Sequence, residues 1–164
     1  MRQLNLGCPD FCPDYTCIDL SPKDKRVIKA DAVDYMHHSM PNSIRKIRAY
    51  QLIEHLPNVG AFFQAANRCL EPNGELWIRT DNAEWLPFYV LLPRGILGWG
   101  AHASTKYRYL FSNGAKPKDG NIEHYAVFTK LHLRQYARAY DFSILTLKRV
   151  TFGARLLAVM RKER

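Results

Sequence analysis

The sequence predicts an α/β protein built on a mostly parallel sheet. Residues 4–6 form a short apolar strand that runs into Gly7, and residues 15–19 form a second strand that ends on a carboxylate. An amphipathic helix over 59–70 is followed by a turn and another apolar strand, an alternation typical of parallel sheets. Residues 143–160 read as two strands joined by a two-residue connection at Phe152-Gly153, which predicts an antiparallel hairpin at the end of the sheet.

Seven strands are predicted in all. In chain order they cover residues 4–6, 15–19, 27–30, 44–51, 75–80, 143–150 and 155–160. Only seven residues, 8–14, separate the first two strands. A helix with its two connections needs a longer segment, so we expect the first helix to be short or missing. Asn58 can cap the helix over 59–70, and a second amphipathic helix is expected over about 130–140.

Residues 81–123 differ from the rest of the chain. They combine seven of the aromatic side chains with many prolines and glycines. This composition predicts a lid or insertion before the sixth strand rather than a regular α/β unit. The alternative is a helix and loop that pack on one face of the sheet. We expect residues 1–164 to form a single domain that includes this segment.

The chain is basic, with a formal net charge of +9. Residues 124–164 contribute +7 of this, from nine Lys or Arg against two Asp or Glu. This balance indicates an anionic partner, such as nucleic acid, a phosphorylated small molecule or an anionic surface. A solvated face with a basic tail is the other interpretation.

No apolar run is long enough to span a bilayer, and the N-terminus leads directly into a strand without an apolar signal region. We therefore expect a cytoplasmic protein that does not enter a membrane. The four cysteines, Cys8, Cys12, Cys17 and Cys69, match none of the common zinc spacings. No metal site is predicted.

The first two strands carry the residues that point to a ligand. The carboxyl ends of neighbouring parallel strands form the crevice where nucleotide-like ligands bind. Gly7 permits a tight turn and a close approach of the backbone to a ligand. Asp19 places two acceptor oxygens at the same edge, and that is the group needed to bind both hydroxyls of a ribose.

The segments LNLGCPDF and YTCIDLSP together resemble the first two motifs of class I S-adenosylmethionine-dependent methyltransferases. The similarity is greatest to a small group in which LNLGCG is followed, after a short loop, by a strand ending in VDL. LIEHLP resembles the LEHLP segment of that group, and RCLEPNGELWIRTDN resembles its LKPGG segment. The resemblance covers residues 2–82 and implies a Rossmann-like seven-stranded sheet with an antiparallel last strand. It also implies methyl transfer from S-adenosylmethionine.

One position departs from the family pattern. Pro9 stands where the second glycine of the cofactor turn is usual, and proline fixes φ and donates no hydrogen bond. The departure motivates two alternative functions, a methyltransferase-fold binding module without transfer activity and a basic RNA-binding domain.

The resemblance implies cofactor-binding residues at the ends of the first four strands. They are Leu6, Gly7, Cys8, Asp19, Leu20, Asp31, Ala32 and Gln51. Gly7 and Cys8 would shape the methionine end, Asp19 would bind the ribose, and Asp31 with Ala32 would flank the adenine. Asp31 could equally cap a short helical turn, and both uses are compatible.

Residues on the acceptor side are also implied. His55 and His124 are the candidate acids or bases, although a histidine such as His55 can be structural instead. Candidate substrate contacts are Tyr50, His102, Tyr107, Arg108 and Tyr109. The acceptor is expected to be a small molecule, such as a sugar, or a nucleic acid, and the protein a monomer or homodimer.

Overall fold

The computed structural model describes residues 2–85 and 126–163. Seven strands form one sheet. In chain order they are β1 (Arg2–Leu6), β2 (Thr16–Asp19), β3 (Ile28–Lys29), β4 (Ile44–Tyr50), β5 (Leu70–Asp81), β6 (Phe142–Val150) and β7 (Arg155–Lys162). Three α-helices accompany them, α1 (Ala32–His38), α2 (Val59–Cys69) and α3 (Lys130–Ala139), with a 3-10 turn at Ile53–His55.

The strand order is β3-β2-β1-β4-β5-β7-β6. Strands β1 to β5 pair in parallel, whereas β7 runs antiparallel to both β5 and β6. The α/β prediction and the reversed last strand are therefore confirmed. Residues 7–15 between β1 and β2 contain no helix, as expected from the short spacing.

All three helices pack against the same face of the sheet. Along the strands, every second side chain points to this face. These side chains are apolar and fully buried, as at Leu6, Ala49 and Ile78. Phe63 of α2 stacks on Tyr136 of α3 at a centroid distance of 5.0 Å. This single core fixes the strands, and with them the edge where β1, β2, β4 and β5 end.

The helix ends follow local chemistry. The side chain of Asn58 accepts a hydrogen bond from Ala61 N–H, which confirms the predicted N-cap of α2. At α3, Thr129 and His132 form a reciprocal capping box. Asp31 caps α1 by accepting hydrogen bonds on its side chain from the first turn. The prediction that Asp31 can cap a short helical turn is therefore confirmed.

Two connections were predicted wrongly. The turn expected at residues 71–74 lies inside β5, which begins at Leu70 directly after α2. Asn73 takes a positive φ there, and the pairing of β4 with β5 shifts register at the same place. The β6–β7 connection comprises the four residues 151–154 rather than two, with positive φ at three of them.

Most of the predicted lid lies outside the described residues. Of segment 81–123, the structure describes only residues 81–85, so the lid and the single-domain boundary stay predictions. Within the described part of the chain, no helix is long and apolar enough to cross a membrane.

Candidate functional site

Gly7 forms the turn at the end of β1. Its φ is +69°, and a Cβ added there would lie 3.1 Å from Cδ1 of Leu52. The N–H groups of Gly7 and Cys8 both donate to the carbonyl of Ile18, at 2.9 and 3.3 Å. The chain thus turns sharply while it stays tied to β2, and only glycine fits this conformation without strain.

The carbonyl oxygen of Pro9 anchors the loop that contains this residue. Pro9 O accepts hydrogen bonds from the N–H groups of Lys23 (2.9 Å) and Asp24 (3.4 Å). Cys8 Sγ donates to Asp10 O at 3.1 Å, and burial raises the pKa of the Cys8 thiol. Because this anchoring uses the carbonyl of Pro9 and needs no N–H there, a proline can occupy the position usually held by glycine.

One carboxylate lies at the end of β2 and another shortly after the end of β3. Asp19 Oδ1 accepts a hydrogen bond from Ser21 N–H at 2.7 Å, and its Oδ2 has no donor among the described residues. The Asp19 carbonyl accepts from Ala30 N–H at 3.1 Å, which brings the end of β3 alongside. Asp31 Oδ1 accepts from the N–H groups of Val33 and Asp34 at 2.8 and 3.0 Å.

A polar network lies at the ends of β4 and β5. Gln51, with φ +54°, donates through Nε2 to Glu54 Oε1 and, at 3.3 Å, to Asp81 Oδ1. Thr80 Oγ1 donates to Glu54 Oε2 at 2.9 Å. Glu54 is 0% exposed, and burial raises the pKa of its carboxyl, with the Asp81 charge acting in the same direction. Arg155 lies 3.8 Å from Asp81.

Sequence reasoning missed Glu54, Thr80 and Asp81 as members of this network. A signal was present at Glu54, a carboxylate within the apolar run Leu52 to Leu56. Thr80 and Asp81 carried no comparable signal, because their contacts with Glu54 and Gln51 cross from one strand to the next.

Two of the acceptor-side candidates, Tyr50 and His55, lie within the described residues. Tyr50 lies on the sheet face opposite the helices, where the Arg79 guanidinium sits 4.5 Å from its ring centroid. His55 ends the 3-10 turn and is half-buried, with its N–H bonded to Leu52 O at 2.9 Å. The remaining candidates fall outside the described residues: His102, Tyr107, Arg108, Tyr109 and His124.

The cofactor candidates gather at one edge. Leu6 and Ile18 are paired neighbours, Ala32 is buried at the start of α1, and Leu20 is 48% exposed just beyond Asp19. The glycine turn and an oxygen without a donor suit a ribose-containing ligand bound across the strand ends. Among the described residues, no group of His, Cys, Asp or Glu is arranged to hold a metal ion.

A family model described as a methyltransferase domain matches residues 6–147. The chain belongs to this methyltransferase family. The resemblance to S-adenosylmethionine-dependent enzymes is confirmed, and S-adenosylmethionine is the cofactor that the membership assigns. No protein in the curated set matches the chain.

Solved structures share the fold of this methyltransferase. An S-adenosylmethionine-dependent methyltransferase from Mesorhizobium loti gives a TM-score of 0.67 at 16% identity, over 98% of this chain and 90% of that one. One from Archaeoglobus fulgidus gives 0.67 at 12% identity, over 98% and 86%. The 1,6-didemethyltoxoflavin-N1-methyltransferase of Burkholderia thailandensis, bound to 1,6-didemethyltoxoflavin and S-adenosylhomocysteine, gives 0.62 at 16% identity, over 99% and 71%. Likeness at these identities concerns the fold alone.

Proposed function

We propose that this methyltransferase binds its cofactor across the ends of β1 to β4 and methylates an O–H or N–H group admitted beside β5. Gly7 and Cys8 border the methionine end, and Asp19 binds the ribose hydroxyls. Asp31 and Ala32 flank the adenine, and Gln51 faces the reacting centre. The bound cofactor supplies an activated methyl group, so the protein has to orient the acceptor and exclude water.

The observation that carries this proposal is the convergence at one edge of residues from four separate segments. Gly7 follows β1, Asp19 is the last residue of β2, and Asp31 comes shortly after β3. Gln51 follows β4. The parallel pairing of β3, β2, β1 and β4 places all four strand ends on the same side of the sheet. Ligands of open α/β sheets bind at this side.

The network around Glu54 supports a polar acceptor. Transfer of a methyl group to a neutral O–H or N–H releases a proton, and a carboxylate within reach can accept it. Asp81 is the partly exposed carboxylate of the pair, and Gln51 holds it in place. We propose Asp81 as the group nearest the acceptor, with Glu54 as a positioning residue behind it. His55 and His124 remain candidates for the same proton.

A small-molecule acceptor is favoured by the compound bound in one of the similar structures. The Burkholderia thailandensis neighbour is named for methylating a small heterocycle and holds that compound in its structure. The net charge of +9 favours an anionic acceptor, and RNA is therefore the second candidate.

Titration calorimetry with S-adenosylmethionine and S-adenosylhomocysteine tests the cofactor site. We expect micromolar binding, about −8 kcal/mol. Asp19→Ala should weaken it by about 10- to 150-fold, because a hydrogen bond to a charged group contributes about 1.5–3 kcal/mol. Asp10→Ala, which removes an exposed carboxylate from the neighbouring loop, is the matched control and should bind as the wild type does.

The alternatives predict different results. A binding module without transfer activity would bind both ligands but leave a labelled methyl group untransferred to any acceptor in a panel of sugars, heterocycles and RNA. A basic RNA-binding domain would bind neither ligand, and Asp19→Ala would leave its RNA affinity unchanged. Loss of binding in Asp10→Ala as well as in Asp19→Ala would contradict the proposed ribose contact.

A further inference from the structure

The sheet face opposite the helices has an unusual chemistry. Lys46, Arg48 and Tyr50 of β4 and Trp77 and Arg79 of β5 point to this face, which we call the cationic face. Parallel sheets are usually covered on both sides, and their strands then read as continuous apolar runs. In β4 and β5 apolar side chains instead alternate with polar or aromatic ones, and the burial alternates with them.

The topology explains why the three described helices all lie on the other face. Connections between parallel strands are right-handed. The first kind of connection, β1 to β2 and β2 to β3, runs toward one edge of the sheet and therefore crosses on one face. The second kind, β3 to β4 and β4 to β5, runs in the opposite direction and therefore crosses on the other face. The second kind carries α1 and α2. The first kind consists of residues 7–15 and 20–27, which contain no helix in the structure. Loop 7–15 reaches the near end of the cationic face, where Tyr15 contacts Arg48.

The cations of this face rest on aromatic rings. Lys46 Nζ lies 3.9 Å from the ring centroid of Trp77, and Arg79 Cζ lies 4.5 Å from that of Tyr50. Arg48 Cζ lies 4.3 Å from the Tyr15 ring. Such stacking holds the long side chains against the sheet while their charge stays available.

Within the described part of the chain, Lys46, Arg48 and Arg79 form no ion pair with a carboxylate. The ion pairs among the described residues involve other basic side chains, namely Arg26, Arg149, Arg155 and Arg161. Arg48 donates through Nε to the amide oxygen of Asn5 at 3.0 Å, a neutral acceptor. Arg79 Nε is buried and has no hydrogen-bond acceptor in the described part of the chain. Glu75 also points to this face, opposite Lys46 in register, but its carboxylate accepts from Trp77 Nε1 at 2.9 Å and lies 3.6 Å from Arg161. Lys46, Arg48 and Arg79 therefore give the cationic face a net positive charge.

We propose that the cationic face binds single-stranded nucleic acid. Cations spread over a flat sheet suit a polymer with repeated phosphates better than a small anion, which needs a concave site. Half-buried aromatic rings between the cations offer stacking surfaces for unpaired bases, a combination typical of single-strand binding proteins. The proposal goes beyond methyl transfer and does not depend on the cofactor site.

The test uses the full chain and a fluorescein-labelled 20-nucleotide RNA of mixed sequence, with binding followed by anisotropy. Each phosphate contact to a single strand contributes about 0.7 to the slope of log affinity against log salt. Contacts from Lys46, Arg48 and Arg79 would give a slope of about −2, which is about a 20-fold loss of affinity between 50 and 200 mM salt. A DNA strand of the same sequence shows whether RNA is preferred.

A double variant and a matched control locate the surface. Lys46→Gln with Arg79→Gln should reduce the slope to about −0.7. Arg134→Gln with Arg138→Gln removes two exposed charges from α3, on the helical side, and should leave affinity and slope unchanged. Trp77→Leu should weaken binding about tenfold without changing the slope, since it removes a stacking surface and no charge.

Three outcomes would overturn the proposal. They are absence of RNA binding by the wild type at 50 mM salt, an equal loss in the α3 control, and an unchanged slope in the Lys46–Arg79 double variant. If the cationic face were instead an interface between two copies, the wild type would sediment as a dimer and the double variant as a monomer. RNA affinity would be the same in both, and this result would also contradict the proposal. The affinity of the same variants for S-adenosylmethionine, measured by calorimetry, distinguishes the two proposals. It should stay at the wild-type value, because the cofactor site lies at the strand ends.

Discussion

Gly7 is the position where one added methyl group tests the proposed cofactor turn. In Gly7→Ala the backbone keeps φ +69°, a conformation that costs an L-residue about 1–2 kcal/mol. The new Cβ would lie 3.1 Å from Cδ1 and 3.3 Å from Cβ of Leu52, so Leu52 has to shift by a few tenths of an ångström. Because Leu52 lies beneath the turn, its shift moves the backbone that faces the ligand.

We expect Gly7→Ala to lower the melting temperature by about 2–8 °C, since 1 kcal/mol corresponds to about 2–4 °C for a domain of this size. Its affinity for S-adenosylhomocysteine should fall at least about tenfold, which is 1.4 kcal/mol. Differential scanning fluorimetry and titration calorimetry measure the two effects separately.

Gly153→Ala is the matched control. Gly153 also has a positive φ, +89°, and its added Cβ would lie 3.3 Å from Trp85 Cδ1. It belongs to the β6–β7 connection, with β4 and β5 between it and β1 in the sheet. The control should lose comparable stability and keep its affinity. If both variants lost stability and both bound the ligand as the wild type does, Gly7 would not border the cofactor.

Two further predictions concern carboxylates. Because burial raises the pKa of Glu54, the folded protein retains its proton at pH values where the unfolded chain has lost it. The free energy of unfolding should therefore fall as pH rises above the ordinary glutamate value, by at most about 1.4 kcal/mol per unit, and Glu54→Gln should remove this dependence in urea titrations. Asp31→Ala should destabilise α1 by about 1 kcal/mol through loss of the N-cap, whereas Asp31→Asn should keep most of it. A further loss of cofactor affinity in both variants would show that Asp31 also contacts the ligand.

For Glu54, an equal pH dependence in the wild type and in Glu54→Gln would contradict the raised pKa. For Asp31, the asparagine variant separates the two uses, since an asparagine oxygen can cap the helix but carries no charge. Wild-type melting temperatures in Asp31→Ala would contradict the capping role.

The order of elements could be predicted because strand and helix periodicities are local. Gly7, Asp19 and Asp31 could be placed at one edge from the sequence, since parallel strands share the side on which they end. The start of β5 was misplaced, because Leu70 already pairs with Ile44 and the pairing resumes at Glu75 with Lys46, so the Pro-Asn-Gly segment forms an irregularity within β5 instead of a turn before it. Pairing energy from a distant strand decides such a boundary.

The sequence by itself determined the α/β class, the missing first helix and the glycine turn, since each depends on the spacing of a few neighbouring residues. Only the tertiary structure decided the surroundings of Glu54, whose partner Thr80 lies 26 positions away along the chain. It also decided that the cations of β4 and β5 share the face opposite the three described helices. Alternation of polar and apolar residues along a strand shows that the two faces of the sheet differ. Which face the helices pack against depends on the right-handed connections between the parallel strands.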